Sequence, residues 1–387
     1  MDGAGPEILD CLHGQRDAMV GFLEQLTVSE SPSSDPQSQQ AMRALLATAF
    51  HSLDYKTLDL LGHKSGGQLY ARPGKRERGQ SRQLIIGHFD TVWPVGTLKN
   101  MPFEVRGNLV NGPGVFDMKG GLVQLVFALR ALKSLSLTGT VMPVIFLNSD
   151  EEIGSRESTR YISRLAQLAN RVFVLEPSLG PAGAIKTARK GVGRYTVSVK
   201  GRAAHAGLDP EQGVSAILEL SFVIQKLFAL NDPENGVTVN VGTIDGGLRP
   251  NVIAPTSRAV IDVRVAAQAD AERIDAAIRA IEPTKSEIAL EIEGGIGRPA
   301  LEPTPRNRAL WRHAQTLGRE IGLELSEGRA GGGSDGNTTS LYTATLDGLG
   351  PVGDGAHAHH EHLDLNKTIE RTALLALLLL SPPLEKA

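Results

Sequence analysis

Apolar residues recur at helical spacing over 7–26, where Ile8, Leu12, Met19, Phe22, Leu23 and Leu26 alternate with polar positions. The Ser-, Pro- and Gln-rich stretch 29–39 reads as a loop, and 38–51 returns to the helical period. The period then shortens. Stretches 58–61, 68–72 and 83–86 have strand character, with 72–82 a basic, glycine-containing turn between the last two. The runs 141–147 and 171–175 are apolar, branched and short, as buried strands are. Helical periodicity fills 122–135 and 155–168. Strand and helix in alternation predict a largely parallel sheet with helices on its faces.

From about residue 191 the pattern changes. Strand 194–200, helix 214–230, strands 237–244 and 258–265, helix 269–281 and strand 288–293 spell β-α-β-β-α-β, the split unit of ferredoxin-like domains, inserted as a block. Glycine and proline over 294–305 mark its exit. The remainder returns to the first pattern, with a helix over 306–321, a Gly-rich loop over 330–336, the segment 348–363 and a last helix. Three segments follow: 1–190, 191–298 and 299–387. The longest apolar run, 373–380, is far shorter than the roughly 20 residues that span a bilayer, so it predicts a buried helix.

With 387 residues, two domains are the better expectation, and 41% hydrophobic and 21% charged residues describe a soluble globular chain. A net charge of -3 and 4% aromatic residues argue against nucleic acid or anionic lipid as a partner. Cys11 is the only cysteine, so a metal site must be built from His, Asp and Glu. The first 20 residues lack a basic start followed by an apolar core, and the expected setting is the cytoplasm.

Candidate chemistry centres on Asn148-Ser149-Asp150-Glu151-Glu152-Ile153-Gly154, at the C-terminal end of strand 141–147, where ligands bind in open α/β sheets. Consecutive residues point apart, so one of Glu151 and Glu152 can face a substrate while the other faces a metal. His88 and Glu176 also directly follow predicted strands, Asp117 lies in a loop that opens onto a helix, and a His-rich segment occupies 355–362. Two imidazoles and three carboxylates make a poor core, because buried charge without partners is costly. They make a good dinuclear site, with one carboxylate bridging two zinc ions and room left for water.

These residues resemble the M20 metallopeptidases, most closely the glutamate carboxypeptidase (carboxypeptidase G-like) branch, whose relatives include acetylornithine deacetylase and succinyl-diaminopimelate desuccinylase. The resemblance rests on Gly87-His88-Phe89-Asp90-Thr91-Val92, the segment from Gly112 to Gly121, Asp150-Glu151-Glu152-Ile153-Gly154-Ser155, Glu176-Pro177-Ser178 and His205-Ala206-Gly207. It runs over nearly the whole chain. The resemblance implies a zinc-exopeptidase-like α/β catalytic domain, with a mostly parallel sheet, made of 1–190 and 299–387. Residues 191–298 become a ferredoxin-like lid and dimerisation domain.

The same resemblance implies site residues. Asp117 bridges two Zn2+ ions, replaceable by Co2+ or Mn2+, with His88 and Glu176 on one ion and Glu152 and His357 on the other. Glu151 is the general base. Asp90 accepts the ring N–H of His88, and the Asp117–Met118 peptide bond is cis. His205 reaches a partner's active site in a homodimer to stabilise the oxyanion, Asn251 is a second such donor, Arg264 binds the substrate carboxylate with help from Arg298, and Gly333 lies in a loop lining the substrate's C-terminal end. The last ligand is taken as His357 because Glu361 then falls at the usual spacing; His359 is the alternative.

The function so implied is hydrolysis of an amide next to a free α-carboxylate, releasing a C-terminal glutamate-like amino acid from a small N-acyl or peptide substrate. The rivals are an N-acyl-amino-acid deacylase and a non-catalytic metal-binding homologue. The intact Glu151 counts against the latter.

Overall fold

The computed structural model describes residues 3–75, 77 and 79–384, so the expected turn 72–82 lies partly outside the described residues, at Arg76 and Arg78. The chain divides into two compact units. The first comprises Met1–Ala188, Pro303–Ala330 and Ser334–Ala387, and the second Arg189–Glu302 with Gly331–Gly333.

A six-stranded sheet organises the first unit, in the order Tyr55–Leu60, Gln68–Pro73, Met142–Asn148, Arg82–His88, Arg171–Val174 and Ala344–Leu346. The last four run parallel, and the first two form an antiparallel hairpin on one side. Period-two alternation sorts the side chains. Ile85, Ile145, Leu147 and Phe173 face a large core under the helices Gly120–Ser134 and Leu365–Leu380, whereas Leu84, Val144, Phe146 and Val172 face Ile162 and Ala166 of helix Thr159–Gln167. Those two large-core helices are apolar nearly all round because both are enclosed.

The second unit is a four-stranded antiparallel sheet in the order Thr238–Gly246, Thr256–Val265, Gly191–Lys200 and Ala289–Arg298, with helices Ala216–Phe228 and Gln268–Arg279. This is the β-α-β-β-α-β block read from the chain. Tyr195, Val197 and Val199 point into its core with Val223, Ile261 and Ile274, and the alternate residues make the opposite face polar.

Several expectations need correction. The helix expected over 7–26 is two, Ala4–His13 and Arg16–Val28, broken at Gly14. The apolar spacing runs through the break because both pieces pack on one core. The last strand of the second unit continues to Arg298, taking Gly294 into the sheet at φ +97, a conformation that glycine tolerates. Helix Thr159–Gln167 starts four residues later than expected, since Ser155 closes the preceding turn by donating its N–H to Asp150 O. Strands Ile185–Arg189 and Ala344–Leu346 are additions; both lie in stretches whose polar residues hide the alternation. Among the described residues no helix is long and apolar enough to cross a membrane.

Arg171 pins the chain end. Its fully buried guanidinium donates to Gln83 Oε1 and to the carbonyl oxygens of Leu378, Ser381 and Pro382, and burial pulls its pKa down to about 10. Arg171→Met should therefore strand four acceptors and cost about 3 kcal/mol, visible as a fall of several degrees in thermal unfolding. An unchanged melting temperature would contradict this account.

Candidate dinuclear metal centre

Parallel strands end at one edge, and that edge collects the carboxylates. His88 closes its strand in register with Asn148, so the acidic turn leaves the sheet beside it. Ile86 pairs with Val174 on the other side, which brings Glu176 out next to His88. Asp117 comes from the helical layer, just before Gly120–Ser134, and the Asp117–Met118 bond is cis. A Cβ on Gly121 would stand 2.3 Å from Leu175 O, so only glycine lets this helix start press against the strand end that carries Glu176. His357 sits in a loop at φ +62.

Nε2 of His88 lies 3.3 Å from Asp117 Oδ1 and 3.6 Å from Glu176 Oε1. Nε2 of His357 lies 3.5 Å from Asp117 Oδ2 and 3.1 Å from Glu152 Oε2. One carboxylate thus turns an oxygen to each imidazole, and each imidazole has a further carboxylate of its own. Glu151 belongs to the same cluster: its carboxylate and the ligand atoms of His88 and Glu176 lie within 4.8 Å of one another, as do those of His88, Asp117 and Glu152. His359 packs its ring against Trp93, with centroids 5.4 Å apart, so His357 is the histidine of that loop turned to Asp117 and Glu152.

The charges are poorly matched without cations. Burial raises the pKa of Glu152, and the negative charges of Asp117 and Glu151 push it further up against a hydrogen bond from His357. Hydrogen bonds to Asp117 and Glu152 raise His357 in turn. Burial disfavours charge on both Asp117 and His88, yet their neighbours overcome it: His357 and His88 hold Asp117 well below the usual carboxylate range, and Asp117 and Asp90 hold His88 high. His88 Nε2 and Asp117 Oδ1 are buried without a hydrogen-bond partner. Imidazole and carboxylate donors with no thiolate suit a pair of divalent ions, zinc among them.

Surrounding carboxylates hold the loops. Nδ1 of His88 is 2.9 Å from the main-chain oxygen of Asp90 and 3.4 Å from its Oδ1. Asp90 thus accepts the ring N–H of His88 as expected, with the shorter contact to its carbonyl, which can only accept, so Nδ1 carries the proton and Nε2 faces Asp117 and Glu176. The Asp90 carboxylate also accepts from Ser33 Oγ and from the main-chain N–H groups of Glu151 and Glu152, because the turn's amides need acceptors. Asp335, buried, accepts from Asn148 Nδ2 and Ser155 Oγ at the two ends of the acidic turn. Glu361, which served only as a spacing marker in the sequence, is buried and accepts four N–H groups. In the sequence Asp335 has no signal beyond its place in the Gly-rich loop 330–336, and Glu361 none beyond its spacing from His357.

The remaining expected site residues lie in the second unit. His205 and Asn251 occupy neighbouring segments, joined by the bridge between His205 and Val252 and by the bond from Ala206 N to Asn251 O. Arg264 and Arg298 both pair with Val192, one from each side, so they share a row on the polar face. Arg264 donates from Nε and Nη2 to the two oxygens of Asp262, at 2.8 and 3.0 Å. The carbonyl oxygens of Gly332 and Gly333 accept from Arg189 Nη1, at 3.2 and 3.4 Å.

Residues 187–286 match the family model of the M20 peptidase dimerisation domain. Carboxypeptidase G2 of Pseudomonas sp. (strain RS-16) is 28% identical over 377 residues, covering 95% of this chain and 89% of that protein. The chain thus contains an M20 dimerisation domain and is similar to an M20-type carboxypeptidase along nearly its whole length. Two solved structures share the M20 fold: aminopeptidase PepT of Bacillus cereus, at TM-score 0.78 and 21% identity over 94% of this chain and 98% of its own, and a dinuclear metal-binding M20 peptidase of Bacillus subtilis, at TM-score 0.66 and 14% identity over 94% and 98%. These relatives and the cluster of ligand-type side chains support a metal-dependent hydrolase.

Divalent ions should therefore stabilise the protein. Ions that bind only the folded chain add about 2.7 kcal/mol at a free concentration 100 times Kd, so chelation should lower the melting temperature and added Zn2+ should restore it. A melting temperature that responds to neither treatment would count against the centre.

Proposed function

We propose that this chain is a dizinc carboxypeptidase that hydrolyses the amide next to a free α-carboxylate, releasing a glutamate-like amino acid from an N-acyl or peptide substrate. The observation that carries this reading is the sharing of Asp117 between two imidazoles with Glu151 in the same cluster. His88 and Glu176 would hold one ion and Glu152 and His357 the other, with Asp117 shared between them, and Co2+ or Mn2+ could replace zinc. When bound, the ions supply positive charge that polarises an amide carbonyl and makes water more acidic.

The chain's own residues move the protons. Glu151 takes a proton from the attacking water and delivers it to the departing amine nitrogen. His205 Nδ1 accepts the N–H groups of Gly207 and Leu208, both at 3.1 Å, so its ring proton sits on Nε2, the form that donates to a developing oxyanion. Asn251 is the second donor. Arg264, oriented by Asp262, binds the α-carboxylate with Arg298, and the loop at Gly333 lines the substrate's C-terminal end.

The reading includes a homodimer in which His205 serves the partner's centre. Its support is an apolar surface on the second unit: Ile217, Leu218, Phe222 and Phe228 of helix Ala216–Phe228, with Ile244 and Leu248 at the sheet's edge, are all exposed. A cytoplasmic setting fits the single free cysteine, Cys11.

Glu151→Gln should keep both ions and lose about 10² to 10⁴ in turnover, whereas Glu152→Gln should lose metal; turnover and metal content of the two variants separate the roles, and identical behaviour would refute the division. Amidating the substrate's α-carboxylate should cost the wild type heavily in kcat/KM and Arg264→Ala little. Equal hydrolysis of free-acid and amidated substrates by the wild type would overturn the carboxypeptidase reading in favour of a deacylase or broader amidase.

A further inference from the structure

Four N–H groups converge on the buried carboxylate of Glu361. Trp93 Nε1 and Gly114 N donate to Oε2 at 2.7 and 2.9 Å, and Phe116 N and Asp117 N donate to Oε1 at 2.9 and 3.0 Å. An ionised carboxylate offers about four acceptor positions, and here a donor fills each. The main chain of Glu361 adds to the join: its carbonyl accepts from Gly112 N and Asn111 Nδ2, and its N–H donates to Ala358 O. One residue therefore ties the segment that carries Asp117 to the loop that carries His357.

We propose that Glu361 is a positioning residue that sets the approach of Asp117 to His357, and through it the affinity of the second metal ion; this rests on the dinuclear reading above. The two halves of the centre are held differently. His88 ends a strand in ladder register and Glu176 follows one, so their separation is fixed by the sheet. Asp117 lies in the segment Val115–Lys119, and His357 in the loop between strands Gly353–Asp354 and His362–Asp364. Their separation depends on what ties the two segments together. Removing the tie leaves the His88 and Glu176 pair in place and loosens the His357 side. Glutamine has the right size but turns an NH2 group toward N–H donors, so it cannot substitute for the carboxylate.

The test uses the full chain with Glu361→Gln, and with Glu157→Gln as a control. The Glu157 carboxylate likewise gathers N–H groups, from His63, Lys64 and Ser65, in the same unit. Tightly bound zinc is counted after equilibration with a chelator buffer, and the visible spectrum of the cobalt(II)-loaded protein reports each site without reference to turnover. Expected are two ions in wild type and Glu157→Gln, and in Glu361→Gln one ion near wild-type affinity with the second weakened about 10- to 100-fold. Two ions at unchanged affinity in Glu361→Gln, or both lost in parallel, would overturn the proposal. If Glu361→Gln does not fold, Trp93→Phe removes a single donor; it should weaken the second ion alone, and an unchanged second affinity overturns the proposal. Fewer than two ions in wild type would sink the dinuclear reading itself, before any variant is compared.

Discussion

Four carboxylates crowd one edge of a sheet beside two imidazoles, and the repulsion among the carboxylates is the constraint that organises the first unit. Burial, with the like charges of Asp117 and Glu151, drives Glu152 toward the protonated form. A folded chain accepts such a cluster only if something offsets it, since uncompensated buried charge is among the costliest features a protein can carry. Divalent cations offset it directly. The fold's contribution is to hold the ligands at the separations that make this possible.

Much of that holding is done by further carboxylates used as acceptors for main-chain N–H groups. Asp90 takes the amides of Glu151 and Glu152, Asp150 those of Glu157 and Ser158, and Glu361 those of Gly114, Phe116 and Asp117. Loops lack ladder partners, so their amides need acceptors. An ionised side chain supplies up to four and bonds about twice as strongly as a neutral one. Some acidic residues of this chain thus face the centre while others fix its loops.

The second unit follows a different logic. Its sheet buries one face against two helices and leaves the other polar, with Arg264 and Arg298 flanking Val192 on that polar face. The outer side of helix Ala216–Phe228 remains apolar at Ile217, Leu218, Phe222 and Phe228. A core-facing stripe and a second apolar stripe on one helix are more than a small domain needs for its own stability.

Strong periodicity made the elements legible: the inserted block, the ligand-bearing strands over 83–86, 141–147 and 171–175, and the enclosed last helix all follow from spacing alone. The types of side chain that gather at the centre were also legible, because His88, Glu152 and Glu176 follow strands that a parallel sheet must end at one edge. Spacing could not show which histidine of 355–362 turns inward. That depends on the left-handed φ at His357 and on Trp93 occupying His359, both set by residues far away in the chain. Nor could it show that the Asp90 carboxylate also takes the amides of the acidic turn, or that Glu361 gathers four donors. Local sequence determines which groups are present and which element carries them. Only tertiary packing decides which donor meets which acceptor, because each buried polar group must find a partner among residues that the chain brings near solely on folding.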